Sequence, residues 1–231
     1  MTRFKFTYKL LIFLLMAFMV FEGKTLYTYA DSSLPIVADQ GSISIDVYPS
    51  DHRLVVRSKD QTIKEYTVAV GNPTTPTPIG EYQIVYKGKN WGAAFGPRWL
   101  GLNVPWGTYG IHGTNNPYSI GQHLSHGCIR MRNNDVKELF NMIPIGTKVT
   151  IYGHVLGDPN QDARNLAEGD VGGGVQLVQS RLKSAGYFTG VCNGKFRSDT
   201  TIALRKFQRD HHLIQNGVVS SKVYEELGLI E

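Results

Sequence analysis

The chain has 231 residues, enough for one large domain or two small ones. Its hydrophobic content of 42% is that of a globular protein, and no long low-complexity tract interrupts it. The formal charge is +5, but Arg3, Lys5, Lys9 and Lys24 against Glu22 place three of those charges in the first 30 residues; the +2 that remains does not indicate a nucleic-acid-binding patch.

Residues 1–30 begin with the basic head MTRFKFTYK and continue into the apolar run LLIFLLMAFMVF. With small residues near Ala30, this is the pattern of a secretory signal peptide, cut after Ala30 with Thr28 at the −3 position. A spanning helix needs roughly 17–25 residues, so the run is short for one, and an uncleaved membrane anchor is the alternative. Either way, the body of the protein is expected outside the cytoplasm.

From Gly41 the pattern becomes that of strands. Ser42 to Tyr48 alternates apolar and polar residues, and Arg53 to Arg57 reads as its hairpin partner across a short polar turn. Thr62 to Val70 predicts a third strand. The segment Gly71 to Gly80 carries Pro73, Pro76 and Pro78, which rules out a helix or a central strand there and predicts an ordered loop. Glu81 to Tyr86 resumes the sheet. Trp91, Phe95 and Trp99 follow, suited either to filling a sheet face or to lining a groove. Tyr109 to His112 predicts a short strand that delivers His112 to its end.

The stretch Ile111 to Asp135 concentrates the reactive side chains. It holds Cys128, one of two cysteines, within Ser125-His126-Gly127-Cys128-Ile129-Arg130, and three of the seven histidines, His112, His123 and His126. A thiol becomes a strong nucleophile only as a thiolate, and an imidazole is the usual proton acceptor, so the pattern predicts a Cys/His acyl-transfer site. A free cysteine is otherwise most often a small buried hydrophobe. Gly127 lets the backbone approach a substrate and can leave amides pointing outward, so the N–H groups of Gly127 and Cys128 are candidate oxyanion donors. Arg130 adds a positive charge that favours a thiolate. His126, only two residues from Cys128, is expected to point away from it, whereas His112 arrives on a separate strand and can face the sulfur. A disulfide between Cys128 and Cys192 is not expected, because the two fall in what read as separate domains. A zinc hydrolase built on His112, His123, His126 and Cys128 is the rival class, but neither H-E-x-x-H nor C-x-x-C spacing is present, and no metal or other cofactor is called for.

Asn133 suits a helix N-cap with Asp135 in the first turn. The helix is predicted over 134–142, with Val136, Leu139, Phe140 and Ile143 on one face. Lys148 to Tyr152 ends the domain as a strand. Residues 154–174 are polar and finish in Gly172-Gly173-Gly174, the composition of a linker. From Val175 to Glu231 the period is helical. Val175, Val178 and Leu182 share one face; Ala203, Leu204 and Phe207 share another; Val223 and Leu227 share a third. This predicts a bundle of three short helices. Cys192 falls in a turn, and His211 and His212 read as solvated surface.

His112-Gly113-Thr114, together with Ser125-His126-Gly127-Cys128-Ile129-Arg130-Met131 and the following Asn133 and Asp135, resembles the catalytic signature of the L,D-transpeptidase family of bacterial cell-wall enzymes. The similarity extends over roughly 43–152. The C-terminal part, through Val178-Gln179, Gly186-Tyr187, Gly194-Lys195-Phe196, Ala203-Leu204, Phe207-Gln208 and Asn216-Gly217-Val218-Val219, resembles the peptidoglycan-binding module common in wall enzymes. It departs at Ser220-Ser221, where a glycine and a threonine are usual.

The resemblance implies a mainly β catalytic domain over 41–153, with mixed sheets in a sandwich- or barrel-like arrangement and one short helix after the Cys loop. An all-α domain of three helices over 175–231 follows the linker. It also implies Cys128 as nucleophile, His112 as base and the Gly113 carbonyl as the group that holds the imidazole. Gly127 then serves the oxyanion site, His126 and Ser125 act in positioning, and Arg130 binds the donor carboxylate or stiffens the loop. The implied partners are peptidoglycan stem peptides and glycan strands, and the implied place is the wall of a bacterium. L,D-carboxypeptidase action and a non-catalytic wall-binding role are the alternatives.

Overall fold

The computed structural model describes residues 43–230, so the signal or anchor expected over 1–30 lies outside the described residues. The catalytic-domain part is built on ten strands and one helix. They are β1 (Ile43–Tyr48), β2 (Arg53–Ser58), β3 (Gln61–Thr67), β4 (Val70–Gly71), β5 (Gly80–Lys89), β6 (Arg98–Leu102), β7 (Tyr109–His112), β8 (His123–Ser125), β9 (Ile129–Arg130), α1 (Asn133–Met142) and β10 (Lys148–Ile151). Eight strands form one mixed sheet in the order β3-β2-β1-β10-β5-β6-β7-β9, and β4 and β8 form a separate parallel pair. Within the sheet, β1–β10 and β7–β9 are parallel and the other neighbours antiparallel.

The expected hairpin forms, with Ile45 opposite Val56 and Val47 opposite Leu54. All four are fully buried, as their alternation requires. The strand expected over Thr62 to Val70 is instead two strands. β3 leaves the sheet edge after Thr67, and the buried residues Val68, Ala69 and Val70 cross to the Cys-bearing segment. There Ala69 exchanges both backbone hydrogen bonds with Arg130, at 2.8 and 2.9 Å. β5 runs past Tyr86 to Lys89 because Lys87, Gly88 and Lys89 find partners in Leu100, Trp99 and Arg98. Ile45, Ile84, Leu100, Ile111 and Ile129 share a core with Val136, Leu139 and Phe140 of α1, whose apolar stripe covers β6 and β7.

α1 starts at Asn133, one residue before its expected first residue, with Arg132 at the N-cap position and no side-chain cap. Asn133 is therefore not the cap that its residue type favours; its amide oxygen is engaged elsewhere, as described below. At the other end of α1, Lys87 Nζ donates to the carbonyls of Phe140 (2.5 Å) and Ile143 (2.7 Å). These are the helix end's own unpaired acceptors, where a cation is favoured.

The C-terminal part contains α2 (Gly173–Ser184), α3 (Ser198–Asp210) and α4 (Ser221–Glu226) around a second core that includes Val175, Val178, Leu182, Leu204, Phe207, Val223 and Tyr224. Two of the three final glycines lie in the first turn of α2. Upstream, Leu166 joins the helical core and its backbone pairs with Val219, while Val171 pairs with Lys195. His211, expected as free surface, is tied down: its Nδ1 is 2.6 Å from Glu226 and its ring stacks on Phe207 at 4.1 Å, which fastens the end of α3 to α4. Both Cys128 and Cys192 are free thiols.

Candidate active site

Three backbone pairings assemble the site. β7 pairs in parallel with β9, so Ile111 lies beside Ile129 and His112 beside Arg130. Met131 N–H then donates to the His112 carbonyl at 2.8 Å, locking the segment after Cys128 to the end of the His112 strand. On the other side of β7, His112 is the direct cross-strand partner of Trp99 on β6. Residues opposite one another in a sheet project to the same face, so Arg130, His112 and Trp99 share one face. Cys128 lies in the bend that leads into β9, two residues before Arg130.

His112 is 3% exposed. Its ring lies flat on Trp99 (centroids 5.2 Å apart, planes 15° apart) and meets the edge of Phe95 at 5.1 Å. Trp91 stacks on the far side of the assembly, 4.6 Å from Trp99. Within the aromatic segment Trp99 is buried, as filling a sheet face requires, while Trp91 and Phe95 remain partly exposed. Gly110, two residues before His112, has to be glycine, because a Cβ there would stand 2.7 Å from both the Trp99 ring and the Leu100 carbonyl.

The imidazole is oriented by the chain itself. Nδ1 lies 2.5 Å from the Gly113 carbonyl, so the tautomer with hydrogen on Nδ1 leaves Nε2 as the lone-pair nitrogen. Gly113 is fixed in turn by Asn133, whose amide oxygen accepts from Thr114 N–H at 2.9 Å and sits where a Cβ on Gly113 would be. Burial pushes the His112 pKa down to about 4, with the Arg130 charge acting the same way and the carbonyls of Gly113 and Phe95 opposing. Burial likewise pushes the Cys128 thiol up, against a Gly110 backbone hydrogen bond and the Arg130 charge, which lower it. The resting pair at neutral pH is thus thiol and neutral imidazole.

The turn carrying Cys128 is organised by Ser125. This fully buried side chain donates to the Cys128 carbonyl at 2.5 Å and accepts from Gly127 N–H at 3.1 Å. Gly127 has φ +102, and a Cβ on it would stand 2.7 Å from the Tyr109 ring and 3.2 Å from the Pro76 carbonyl. The proline-rich loop is ordered and pinned to the same turn: Asn72 donates to the Ser125 carbonyl through both its backbone N–H (3.0 Å) and its side-chain amide (3.1 Å). Gly71 N–H donates to the Thr77 hydroxyl at 2.8 Å. Of the two amides expected as oxyanion donors, that of Gly127 is already engaged by Ser125.

Of the other histidines, His126 is exposed. His123 is turned toward the Gly71 carbonyl (3.2 Å) and the edge of His52 (4.4 Å). Among the described residues no group of three or more His, Cys, Asp or Glu side chains converges as a set of metal ligands. Sequence reasoning named Trp99 and Tyr109 but missed the stacking of Trp99 on His112, the packing of Tyr109 on Gly127 and the tie from Asn133 to Thr114. Strand register and loop packing bring these contacts about, and no spacing in the sequence displays them.

The family model of the L,D-transpeptidase catalytic domain matches residues 42–151, and that of a putative peptidoglycan-binding domain matches residues 171–227. The putative L,D-transpeptidase YkuD of Bacillus subtilis is 49% identical over 98 residues, which cover 42% of this chain and 58% of that protein. The protein of the same name from Bacillus licheniformis is 52% identical over 93 residues, covering 40% and 55%. The chain therefore spans little more than half the length of these relatives. The NMR structure of the catalytic domain of the E. faecium L,D-transpeptidase is 26% identical, with a TM-score of 0.42, and the match covers 48% of this chain and 96% of that one. Residues 42–151 of the chain are thus similar to L,D-transpeptidase catalytic domains, and residues 171–227 to a putative peptidoglycan-binding domain.

Proposed function

We propose that this chain is a cysteine-dependent L,D-transpeptidase that forms 3→3 cross-links in bacterial peptidoglycan. The observation that carries the reading is the pairing of β7 with β9, which brings a buried imidazole, already oriented through Nδ1, beside the strand that directly follows Cys128. In the first step Cys128 Sγ attacks the carbonyl of the third residue of a stem tetrapeptide while His112 Nε2 takes the thiol proton. The tetrahedral oxyanion is met by the Cys128 amide, with Gly127 keeping the turn open to it. Collapse breaks the peptide bond, and His112 returns its proton to the departing amine of the terminal D-Ala, leaving a thioester. In the second step the side-chain amine of a neighbouring stem attacks the thioester. His112 takes the amine's proton and passes it to the departing sulfur. Water in place of the amine gives L,D-carboxypeptidase action.

A neutral imidazole is the form a general base requires, so depressed His112 basicity suits this proton-coupled attack rather than a standing ion pair. Arg130, whose charge reaches both His112 and Cys128, favours the developing sulfur anion. Ser125 and His126 act in positioning. The helical domain holds the enzyme on glycan strands or stems, which places the protein in or at the cell wall.

The test is incubation of the full chain with purified wall fragments, with products followed by mass. Cross-linked dimers are expected. Cys128→Ala should lower turnover by at least about three orders of magnitude with the circular dichroism spectrum unchanged. Wild-type protein that binds wall material but yields neither dimers nor shortened stems would support a binding role in place of the enzyme. Full turnover in Cys128→Ala would remove Cys128 as nucleophile.

A further inference from the structure

Trp106 lies in the connection between β6 and β7 and is 8% exposed. Tyr82 meets it edge-on at 6.4 Å from the catalytic-domain side. From the helical domain, Gly194 comes against the indole: a Cβ on Gly194 would stand 2.5 Å from the ring and 2.9 Å from the Gly172 carbonyl. Only a bare backbone fits there, and φ at Gly194 is +69, which also favours glycine.

The backbone around Gly194 is held firmly. Its N–H donates to the amide oxygen of the buried Gln179 on α2 at 2.9 Å, and its carbonyl accepts from Gly172 N–H at 2.8 Å. Gln179 also donates to Lys195 and Thr200. The indole thus rests on a rigid part of the helical domain. Tyr109 packs against the core that contains Trp106, and the indole acts on the Tyr109 phenol, lowering its pKa against the effect of burial. The Tyr109 ring closes on Gly127, leaving no room for a Cβ. Gly194 thus meets Trp106, Trp106 and Tyr109 belong to one core, and Tyr109 meets Gly127, the residue before Cys128.

We propose that Trp106 and Tyr109 are positioning residues through which the docked helical domain sets the geometry of the Gly127–Cys128 turn. The wall-binding domain is then part of the support of the reacting centre as well as a tether. This rests on the reading of Cys128 as the nucleophile. A shift of about 1 Å in the turn moves Sγ relative to both His112 and the substrate carbonyl, and misplacements of that size cost up to ~100-fold in rate.

The test uses the full chain with Cys192→Ser as background and three variants: Gly194→Ala, Trp106→Phe and Tyr109→Phe. Two readouts are taken: kcat and KM on a stem tetrapeptide, and the pH midpoint of Cys128 alkylation by iodoacetamide. Gly194→Ala is expected to lower kcat on the order of tenfold with KM within about twofold. Trp106→Phe, which keeps a ring but loses the indole N–H, is expected to fall between it and wild type. Each is expected to shift the alkylation midpoint, whereas Ile214→Ala, on the exposed surface of the helical domain, is expected to shift nothing. If Gly194→Ala does not fold, the two aromatic variants carry the test. Unchanged kcat and an unchanged midpoint in folded variants would overturn the proposal. If the wild type turns over no stem peptide, the function proposed above fails, while the alkylation midpoint still decides this one.

Discussion

His112 is the residue on which pH should act most directly. Its imidazole is buried between Trp99 and Phe95, and burial holds its pKa near 4 against an ordinary 6.5. Because the folded value is depressed, the unfolded chain binds the extra proton first as pH falls. The stability this group contributes is complete above about 6.5 and is lost progressively toward 4, amounting to about 3 kcal/mol across that window. Urea titrations at pH 7 and pH 4.5 are expected to show the loss, and His112→Gln to remove most of the difference. Activity should follow the same group with the same sign: the acid limb of kcat/KM is expected near pH 4, far below that of an exposed histidine. An acid limb at 6.5 would mean that His112 is solvated during turnover. At this scale the sequence was most legible. Cys128 and His112 stood out because a thiol, imidazoles, a glycine and an arginine were crowded into one stretch. The ring beneath the imidazole was not legible, because Trp99 meets His112 only through the register of two strands joined by a six-residue connection.

Among the elements, the turn from Ser125 to Cys128 depends on one hydroxyl that bridges its two ends. Ser125→Ala leaves a buried N–H and a carbonyl without that partner. It is expected to cost about 1–3 kcal/mol in chemical denaturation and to lower kcat more than it raises KM. Asn133 has the corresponding role on the histidine side. Asn133→Ala orphans the Thr114 N–H and frees the Gly113 backbone, with an expected cost of about 1–3 kcal/mol. Since Gly113 holds the imidazole, kcat should fall with it, and a single-turnover acylation measurement separates this from substrate binding. The hairpin, the proline-rich loop, α1 and the helices all follow from period and turn chemistry. The division between β3 and β4 did not, because Thr62 to Val70 reads as one continuous run and only the tertiary pairing of Ala69 with Arg130 interrupts it. Asn133 misled for a related reason: its residue type favours a cap, but a better-buried amide competed for its oxygen.

For the molecule as a whole, two separate cores follow the two matched families, one under the sheet and one among α2, α3 and α4. Leu204→Ala empties part of the second and is expected to destabilise the helical domain by about 2–5 kcal/mol. The helical signal at 222 nm should then melt at a lower temperature than the near-ultraviolet signal of the tryptophans, all of which lie in the sheet domain. Coincident melting would mean that the two cores unfold as one unit. The sequence made both domains visible through their change of period, but not Trp106 against Gly194, a contact that depends on how the parts meet.

The parallel pairing of β1 with β10 sets Ile45 beside Val149, strands from the two ends of the catalytic fold. On its other edge β10 pairs with β5, so within the eight-stranded sheet β10 joins β3-β2-β1 to β5-β6-β7-β9. During synthesis the thiol and its imidazole are therefore made before the seam that closes the sheet. The ladders of β10 with β1 and β5 form only after residues 148–151 emerge, and this non-local pairing is expected to come late in folding.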